Sequence, residues 1–271
     1  TIGAATSRVR LGSGGVMLQH YSPYKVAENF NLLAALAPGR VDLGVGKAPG
    51  GLPLSTRVLQ LGLHPQEKGS FADQLTQLDG WIRPENQSAE EAVRATPLPP
   101  VPARGFLLGA STESALLAAS LDWHFVFAAH LNGDPELLRE VVTAWRQHSV
   151  REVIVAVQAI VAPTQAEADA LAQKVEVWGV ELVNGQRVTV ASEEQAYAFA
   201  RQAGSDPVRI ARRAQSLLAG TADSVLEQLN ALHQQWGIDE FIIDTPVADG
   251  ATRAQSLRLL AEARFNREVT V

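Results

Sequence analysis

Short apolar segments alternate with amphipathic segments along most of this chain. The runs Phe106–Leu108, Phe125–Ala128 and Val153–Val161 contain almost no polar residue, which is typical of strands buried on both faces of a parallel sheet. Between such runs the apolar residues recur every three or four positions, as in the segment Pro23–Leu36, which indicates helices with one buried face. The alternation predicts an α/β fold with a parallel sheet covered by helices.

The pattern predicts six strands and a helix after most of them. The strands are expected at residues 8–18, 41–46, 106–108, 125–128, 153–161 and 240–245. The helices are expected at residues 23–36, 55–61, 71–82, 112–120, 135–147, 165–177, 192–203, 222–236 and 251–264. On this count alone, an open doubly wound sheet and an eight-stranded barrel that lacks two units both remain possible.

The composition indicates which kinds of molecule the protein binds. The 271 residues are 46% hydrophobic and carry a formal net charge of −6 without a cluster of Lys or Arg. We therefore expect no nucleic-acid partner and no membrane partner, and favour a small-molecule substrate. The chain has no Cys, which suits a cytoplasmic protein, and no motif in it indicates a metal site.

The junction between the strand Phe106–Leu108 and the helix that follows is the best candidate for binding chemistry. Gly109 ends the strand, and Ser111, Thr112 and Ser114 precede an Ala- and Leu-rich segment. Hydroxyl groups and the free N–H groups at the start of a helix suit an anion such as a phosphate. The alternative is that these residues only cap the helix, which is the commoner role of Ser and Thr at this place.

Other candidates also follow predicted strands, where α/β folds place their ligands. Lys47 brings a positive charge to such a position, although most exposed lysines there are only solvated surface. The pair Gly14-Gly15 allows close approach of another group to the backbone, or marks a β-bulge. His20 and His130 each follow a strand and could donate a proton, although a single His is more often structural.

Several of these motifs occur in the order and spacing of a known family. Residues 8–18, 22–28 and 38–50 resemble the bacterial luciferase-like flavin monooxygenases. The segments 108–119, 125–130, 220–221, 239–240 and 253–256 extend the resemblance over most of the chain.

The resemblance implies a fold, a cofactor and partners. The fold would be a (β/α)8 TIM-type barrel forming one domain, 1–271, with an insertion at about 178–220 and with the first two βα units absent from this sequence. The activity would be oxidation of a small aldehyde- or ketone-like substrate by O2 and reduced FMN, which a separate flavin reductase supplies. The family also suggests a homodimer.

The resemblance also assigns residues. The cofactor-binding positions it implies are Gly14, Gly15, Lys47, Ala110, Ser111 and Ser114. It implies a cis peptide bond between the two glycines, next to the flavin ring. His130 and His20 are the candidate catalytic residues, each as a proton donor near the flavin.

The chain departs from the family pattern at three places. The first two βα units have no counterpart before Thr1, so either the sequence is incomplete or the barrel is a shortened one, and we favour the former because an open barrel would expose strand edges. Lys47 stands where the family usually has Arg, so a charge is kept but a bidentate donor is lost. The segment Gln19-His20-Tyr21 replaces a usual Pro-Asn-His. Two alternatives therefore stay open, namely a flavin-binding relative without catalytic activity and a deazaflavin-dependent oxidoreductase on the same barrel.

Overall fold

The structure is a computed structural model that describes residues 1–63, 65–83, 85, 93–130, 134–213 and 216–269, and for 65, 66 and 266–269 only the backbone. The chain folds into two compact units. Unit 1 comprises Thr1–Val126 and Thr143–Arg151, and unit 2 comprises Phe127–Val142 and Glu152–Val271. The single domain expected from the sequence stays a prediction.

Strands and helices alternate through unit 1. Its strands are β1 (Leu11–Gly12), β2 (Val16–Met17), β3 (Val41–Gly46), β4 (Arg104–Gly109) and the first part of β5 (His124–Ala128). Its helices are α1 (Ile2–Ala5), a 3₁₀ turn (Leu18–His20), α2 (Pro23–Leu36), α3 (Pro53–Leu59), α4 (Pro65–Lys68), α5 (Phe71–Ile82), α6 (Thr112–Ser120) and the last part of α7 (Pro135–His148). The hydrogen-bond order is β1-β3-β4-β5, and β2 also pairs with β3.

The sheet of unit 1 is parallel and buried. Both β1 and β2 pair with β3 in parallel, and β3 pairs with β4 in parallel. Leu43 and Val45 of β3 are fully buried, as are Leu75 and Leu78 of α5. Burial of each such Leu contributes about 1.5–3 kcal/mol, so the strand and helix predicted from apolar spacing are also the centre of this core.

Neighbouring residues set both ends of α2. Pro23 occupies its first turn, where the missing N–H group costs nothing because that group has no partner inside a helix. The helix ends at Leu36, and Gly39 follows with a φ of 71°, a left-handed conformation that glycine adopts without strain. The helix therefore has the bounds that the sequence predicts.

Unit 2 contains parallel strands and a small antiparallel sheet. Its strands are the last part of β5, β6 (Ile154–Val161), β7 (Trp178–Leu182), β8 (Arg187–Val190), β9 (Pro207–Arg212), β10 (Leu217–Gly220) and β11 (Glu240–Asp244). Its helices are the first part of α7, α8 (Gln165–Ala172), α9 (Glu193–Ala203), α10 (Ala222–Trp236) and α11 (Gly250–Val269). Both β10 and β11 pair with β6 in parallel.

The segment predicted as an insertion has its own sheet, in the order β8-β7-β9. A turn at Asn184-Gly185 joins β7 to β8, which an Asn-Gly pair favours, and Gly185 has a φ of 84°. Val180 and Leu182 are buried on one side of this sheet, together with Phe199 of α9. Residues 214 and 215 of the predicted insertion lie outside the described residues.

The structure differs from the predicted elements at several places. The strand expected at 8–18 is divided into β1 and β2 and is followed by the 3₁₀ turn, and α4 and the three strands of the insertion were not predicted. The helix expected at 165–177 ends at Ala172, because the N–H groups of Lys174 and Val175 bond three residues back and turn the chain toward β7. The strand β10 was not predicted, since four residues carry too little periodicity to be recognised. The fold is α/β with parallel strands, as expected, and the closed barrel with two absent units stays a prediction. Within the described residues, no helix is long and apolar enough to cross a membrane.

Candidate functional site

Three neighbouring strands of unit 1 end at the same edge. Met17 of β2 is in register with Gly46 of β3, and Gly46 is in register with Leu108 of β4. Because the strands are parallel, the residues that follow each of them meet at this carboxyl edge. The edge therefore collects Lys47, which follows β3, and the junction at Ser111, which follows β4.

Glycines allow the chain to come unusually close at β3. Ser13 Oγ donates a hydrogen bond to the carbonyl oxygen of Gly44 at 2.8 Å, and the Gly44 N–H group donates to Ser13 Oγ at 3.0 Å. A Cβ atom on Gly44 would lie 1.9 Å from the carbonyl oxygen of Ser13, and one on Gly15 would lie 2.8 Å from the carbonyl oxygen of Gly44. Both positions therefore require glycine.

Gly14, unlike Gly15, has open space around it. It is exposed, and a Cβ atom there would meet no described atom within 4 Å. The space over this residue is open to a ligand, which a flat ring could use. The peptide bond between Gly14 and Gly15 is cis, so that prediction is confirmed.

The junction after β4 combines a helix cap with a second hydroxyl group. Ser111 caps α6, and its Oγ accepts a hydrogen bond from the N–H group of Ser114 at 3.2 Å. The Oγ atoms of Ser111 and Ser114 are 3.1 Å apart. A Cβ atom on Gly109 would lie 2.7 Å from the Cβ of Ser114, so Gly109 leaves room for that side chain. Ala110 lies between Gly109 and the cap and is partly buried. The capping role is thus confirmed, and the hydroxyl of Ser114 is added to the positive end of the helix.

Lys47 supplies a positive charge at the same edge. Its side chain is exposed and has no hydrogen bond or ion pair within the described part of the chain. The amino end of β3 has the opposite character, because the Asp42 carboxylate accepts hydrogen bonds from Arg10 Nε at 2.8 Å and from Arg104 Nε at 2.9 Å. Partial burial opposes ionisation of Asp42, but these bonds and charges hold its pKa below the ordinary value.

His20 is buried, with 3% of its surface exposed, and both of its ring nitrogens are engaged. Its Nε2 lies 2.8 Å from the carbonyl oxygen of Pro49, and its Nδ1 lies 3.1 Å from Nε2 of Gln60. A carbonyl oxygen only accepts, so Nε2 carries the proton and Nδ1 accepts from the amide group. In this structure His20 therefore holds the loop after β3.

His130 lies in unit 2, just after β5. Its backbone N–H group donates to the carbonyl oxygen of Ala156 at 3.2 Å. Its Nδ1 is buried and has no hydrogen-bond partner within the described residues. An orphaned ring nitrogen of this kind is available to a ligand, and the catalytic role of His130 stays a prediction.

Sequence reasoning missed three contributors to this edge. Ser13 and Gly44 were visible as parts of glycine-rich segments, but their mutual contact joins residues 31 apart in the chain. The role of Gln19 was also missed, although Gln19 belongs to a segment that departs from the family pattern. The described residues contain no group of three or more His, Cys, Asp or Glu that could hold a metal ion.

The parallel strands define an α/β protein, a class in which ligand sites lie at the carboxyl ends of the strands. Residues 1–240 match the family of luciferase-like monooxygenases, and the chain belongs to this family. The resemblance drawn from the sequence is thereby confirmed.

One relative and one solved structure are each more than 25% identical to this chain. An N-acetyl-S-alkylcysteine monooxygenase of Bacillus subtilis (strain 168) is 41% identical over 268 residues, which cover 97% of this chain and 80% of that protein. The crystal structure of apo-MsnO8 has a TM-score of 0.71 at 27% identity and covers 97% of this chain and 78% of its own.

Two more distant structures share the fold alone. The oxygenating constituent of 3,6-diketocamphane monooxygenase from Pseudomonas putida, in complex with FMN, has a TM-score of 0.60 at 20% identity, covering 95% of this chain and 79% of that one. An F420-dependent secondary alcohol dehydrogenase has a TM-score of 0.63 at 15% identity, covering 94% of this chain and 79% of that one. Family membership supports an oxidoreductase activity of the monooxygenase type.

Proposed function

We propose that this protein is an FMN-dependent monooxygenase. In the overall reaction, reduced FMN and O2 are consumed, one oxygen atom is transferred to a small organic substrate, and the other leaves as water together with oxidised FMN. The single observation that carries this proposal is the position of Lys47. Its ammonium group has no partner among the described residues, and it stands at the same strand edge as the Ser111 junction.

The residues at this edge fit the phosphate of FMN. Lys47 would contribute the positive charge, while Ser114 and the N-terminus of α6 would contribute hydrogen-bond donors. Ser111 remains the cap that fixes the first turn of the helix. A Lys in place of Arg acts as a point charge and leaves more of the phosphate geometry to the hydroxyl and N–H donors.

The glycine segment fits the flat part of the cofactor. Gly15 and Gly44 keep β2 close against β3, and the open space over Gly14 leaves room for a ring. When bound, FMN supplies the electrons and the site of oxygen activation. The protein then has to orient the ring, exclude water, and provide a proton donor. For the last role we propose His130, whose Nδ1 has no partner within the described residues.

We propose a thioether as the substrate. The relative that is 41% identical is named for N-acetyl-S-alkylcysteine, so an N-acylated S-alkylcysteine is the first compound to assay. The aldehyde- and ketone-like substrates expected from the sequence are assayed beside it. Reduced FMN is proposed to come from a separate flavin reductase, and the protein is proposed to act as a homodimer.

Binding and turnover test this proposal separately. The protein is titrated without O2 against oxidised FMN, reduced FMN, reduced riboflavin and a reduced deazaflavin, with flavin fluorescence or absorbance as the signal. Turnover is then assayed with O2, NADH and a general flavin reductase. N-acetyl-S-methylcysteine, a long-chain aldehyde and a cyclic ketone are supplied in turn, and oxygenated products are identified by mass spectrometry with ¹⁸O2.

We expect reduced FMN to bind more tightly than reduced riboflavin, and ¹⁸O to enter one product. Binding of the deazaflavin in preference to FMN would replace the proposal with hydride transfer. Binding of FMN without any oxygenated product from the three compounds would favour a relative that lacks catalytic activity. Binding of no flavin would contradict the proposal outright.

A further inference from the structure

One short segment holds the backbone of the loop that carries Lys47. Gln19 Nε2 donates hydrogen bonds to the carbonyl oxygens of Lys47 at 3.2 Å and Ala48 at 2.7 Å. His20 Nε2 donates to the next carbonyl oxygen, that of Pro49, at 2.8 Å. Two adjacent side chains thus bond three consecutive carbonyl groups of a loop about 29 residues further along the chain.

The orientation of His20 is itself fixed. The residue is buried, and Gln60 donates to its Nδ1 at 3.1 Å. Thr56 Oγ1 donates to the same Pro49 carbonyl oxygen at 3.0 Å. Because each bond has one possible direction, the ring has a single tautomer, and rotation of the ring would break both of its bonds at once.

The far end of the loop is also closely packed. Gly50 has a φ of 71°, and a Cβ atom there would lie 2.1 Å from the Sδ atom of Met17. The loop therefore rests directly on β2, just before the segment that supplies Gln19 and His20. Hydrogen bonds and packing together hold residues 47–50, while the side chain of Lys47 itself is unconstrained by any described residue.

We infer that Gln19 and His20 are positioning residues that fix the Lys47 loop for recognition of the cofactor phosphate. The inference rests on the proposed function, because it takes Lys47 as the phosphate ligand. A loop already held in place loses less conformational entropy when Lys47 binds an anion, so the bound state is favoured. This assigns to His20 a role other than the proton donor expected from the sequence.

The test compares two flavins that differ only in the phosphate. Dissociation constants for reduced FMN and reduced riboflavin are measured for the wild type, His20→Ala and Gln19→Ala. We expect His20→Ala to weaken FMN about 10-fold and Gln19→Ala about 3-fold, the sizes that a lost hydrogen bond to a loop backbone would have. Riboflavin should change less than about 2-fold, within the ordinary scatter of neutral substitutions. His233→Ala is the matched control, because His233 also bonds a backbone carbonyl group, that of Ile238, and makes no described hydrogen bond to the Lys47 loop.

A double-mutant cycle separates positioning from general damage. In a Lys47→Met background the phosphate contact of Lys47 is gone, so His20→Ala should no longer change the ratio of the two dissociation constants. Should His20→Ala fail to fold, Gln19→Ala and Gln60→Ala serve in its place, because their side chains are more peripheral.

The outcomes distinguish this inference from the proposed function. A wild type that binds FMN and riboflavin equally, or binds neither, contradicts the phosphate site itself and with it the positioning role. A wild type that prefers FMN, with a preference unchanged in His20→Ala and Gln19→Ala, contradicts the positioning role alone. An effect of His20→Ala that persists fully in the Lys47→Met background also overturns it.

Discussion

The two ends of β3 differ in whether their charged side chains are paired. At the amino end, the Asp42 carboxylate lies between Arg10 and Arg104 and forms hydrogen bonds with both. At the carboxyl end, Lys47 has no counter-charge among the described residues, and the capped start of α6 follows the neighbouring strand at the same edge. A charge that is paired within the chain stabilises the fold, whereas a charge without a partner at the edge where α/β folds bind their ligands is available to a ligand. The difference predicts that mutations at the two ends have separate effects.

The largest effect is expected for Lys47→Met. Loss of the ammonium group should weaken reduced FMN by about 10- to 100-fold, or about 1.4–2.7 kcal/mol, because a charge-assisted contact to phosphate is lost. Riboflavin binding and thermal stability should change little. The control is Lys174→Met, which removes another exposed lysine. Equal weakening of FMN and riboflavin would show that Lys47 does not contact the phosphate.

Asp42→Asn should affect the stability of the fold and not the binding of flavin. The substitution leaves two arginines without their shared carboxylate, and the free energy of unfolding should fall by about 1–2 kcal/mol. The ratio of FMN to riboflavin affinity should stay at the wild-type value. Urea denaturation measures the first quantity, with Asp206→Asn as an exposed acidic control. A changed flavin ratio in a stable variant would mean that the two ends of β3 are not independent.

The pH dependence of stability provides a second measure at the amino end. The pKa of Asp42 is lowered from its ordinary value of 3.8, so its ion pairs stabilise the fold above that pH and are lost as the pH falls through the lower folded-state pKa. Stability of the wild type should therefore fall more steeply than that of Asp42→Asn below about pH 4. Parallel curves for the two proteins would contradict the ionised, paired state of Asp42.

The smallest effect is expected for Ser114→Ala. One hydroxyl contact to the phosphate should be worth about 0.5–1.4 kcal/mol, or a 2- to 10-fold loss of FMN affinity. The matched control is Ser120→Ala at the other end of α6, where the hydroxyl group bonds the carbonyl oxygen of Leu117. Weakening of riboflavin to the same degree would indicate that Ser114 only supports the start of the helix.

Local sequence signals were sufficient for elements whose ends are set by neighbouring residues. The helix α2 begins at Pro23 and ends before Gly39 because both residues act within one turn. The same holds for α8, where Thr164 and Glu167 form the reciprocal cap that their spacing predicts. The cap at Ser111 was also predicted, since a cap needs only a hydroxyl group and an N–H group three residues later.

Contacts between residues far apart in the chain could not be predicted from local sequence signals. The segment β10 forms a strand because it pairs with β6, more than fifty residues away, and its own four residues would not predict one. The sequence predicts a proton donor at His20 because this residue follows a strand, but its burial and its two partners depend on where the loop at Pro49 and the helix end at Gln60 lie.

The sequence by itself determined the alternation of strands and helices, the cap at Ser111, the charge of Lys47 and the family. Periodicity, capping and motif spacing are short-range properties, so the sequence displays them directly. Only the tertiary structure decided that Lys47 and Ser111 share one edge, that Asp42 is matched while Lys47 has no counter-charge among the described residues, and that His20 holds the loop. Each of these depends on strand register and burial, which arise when segments far apart in the chain pack together.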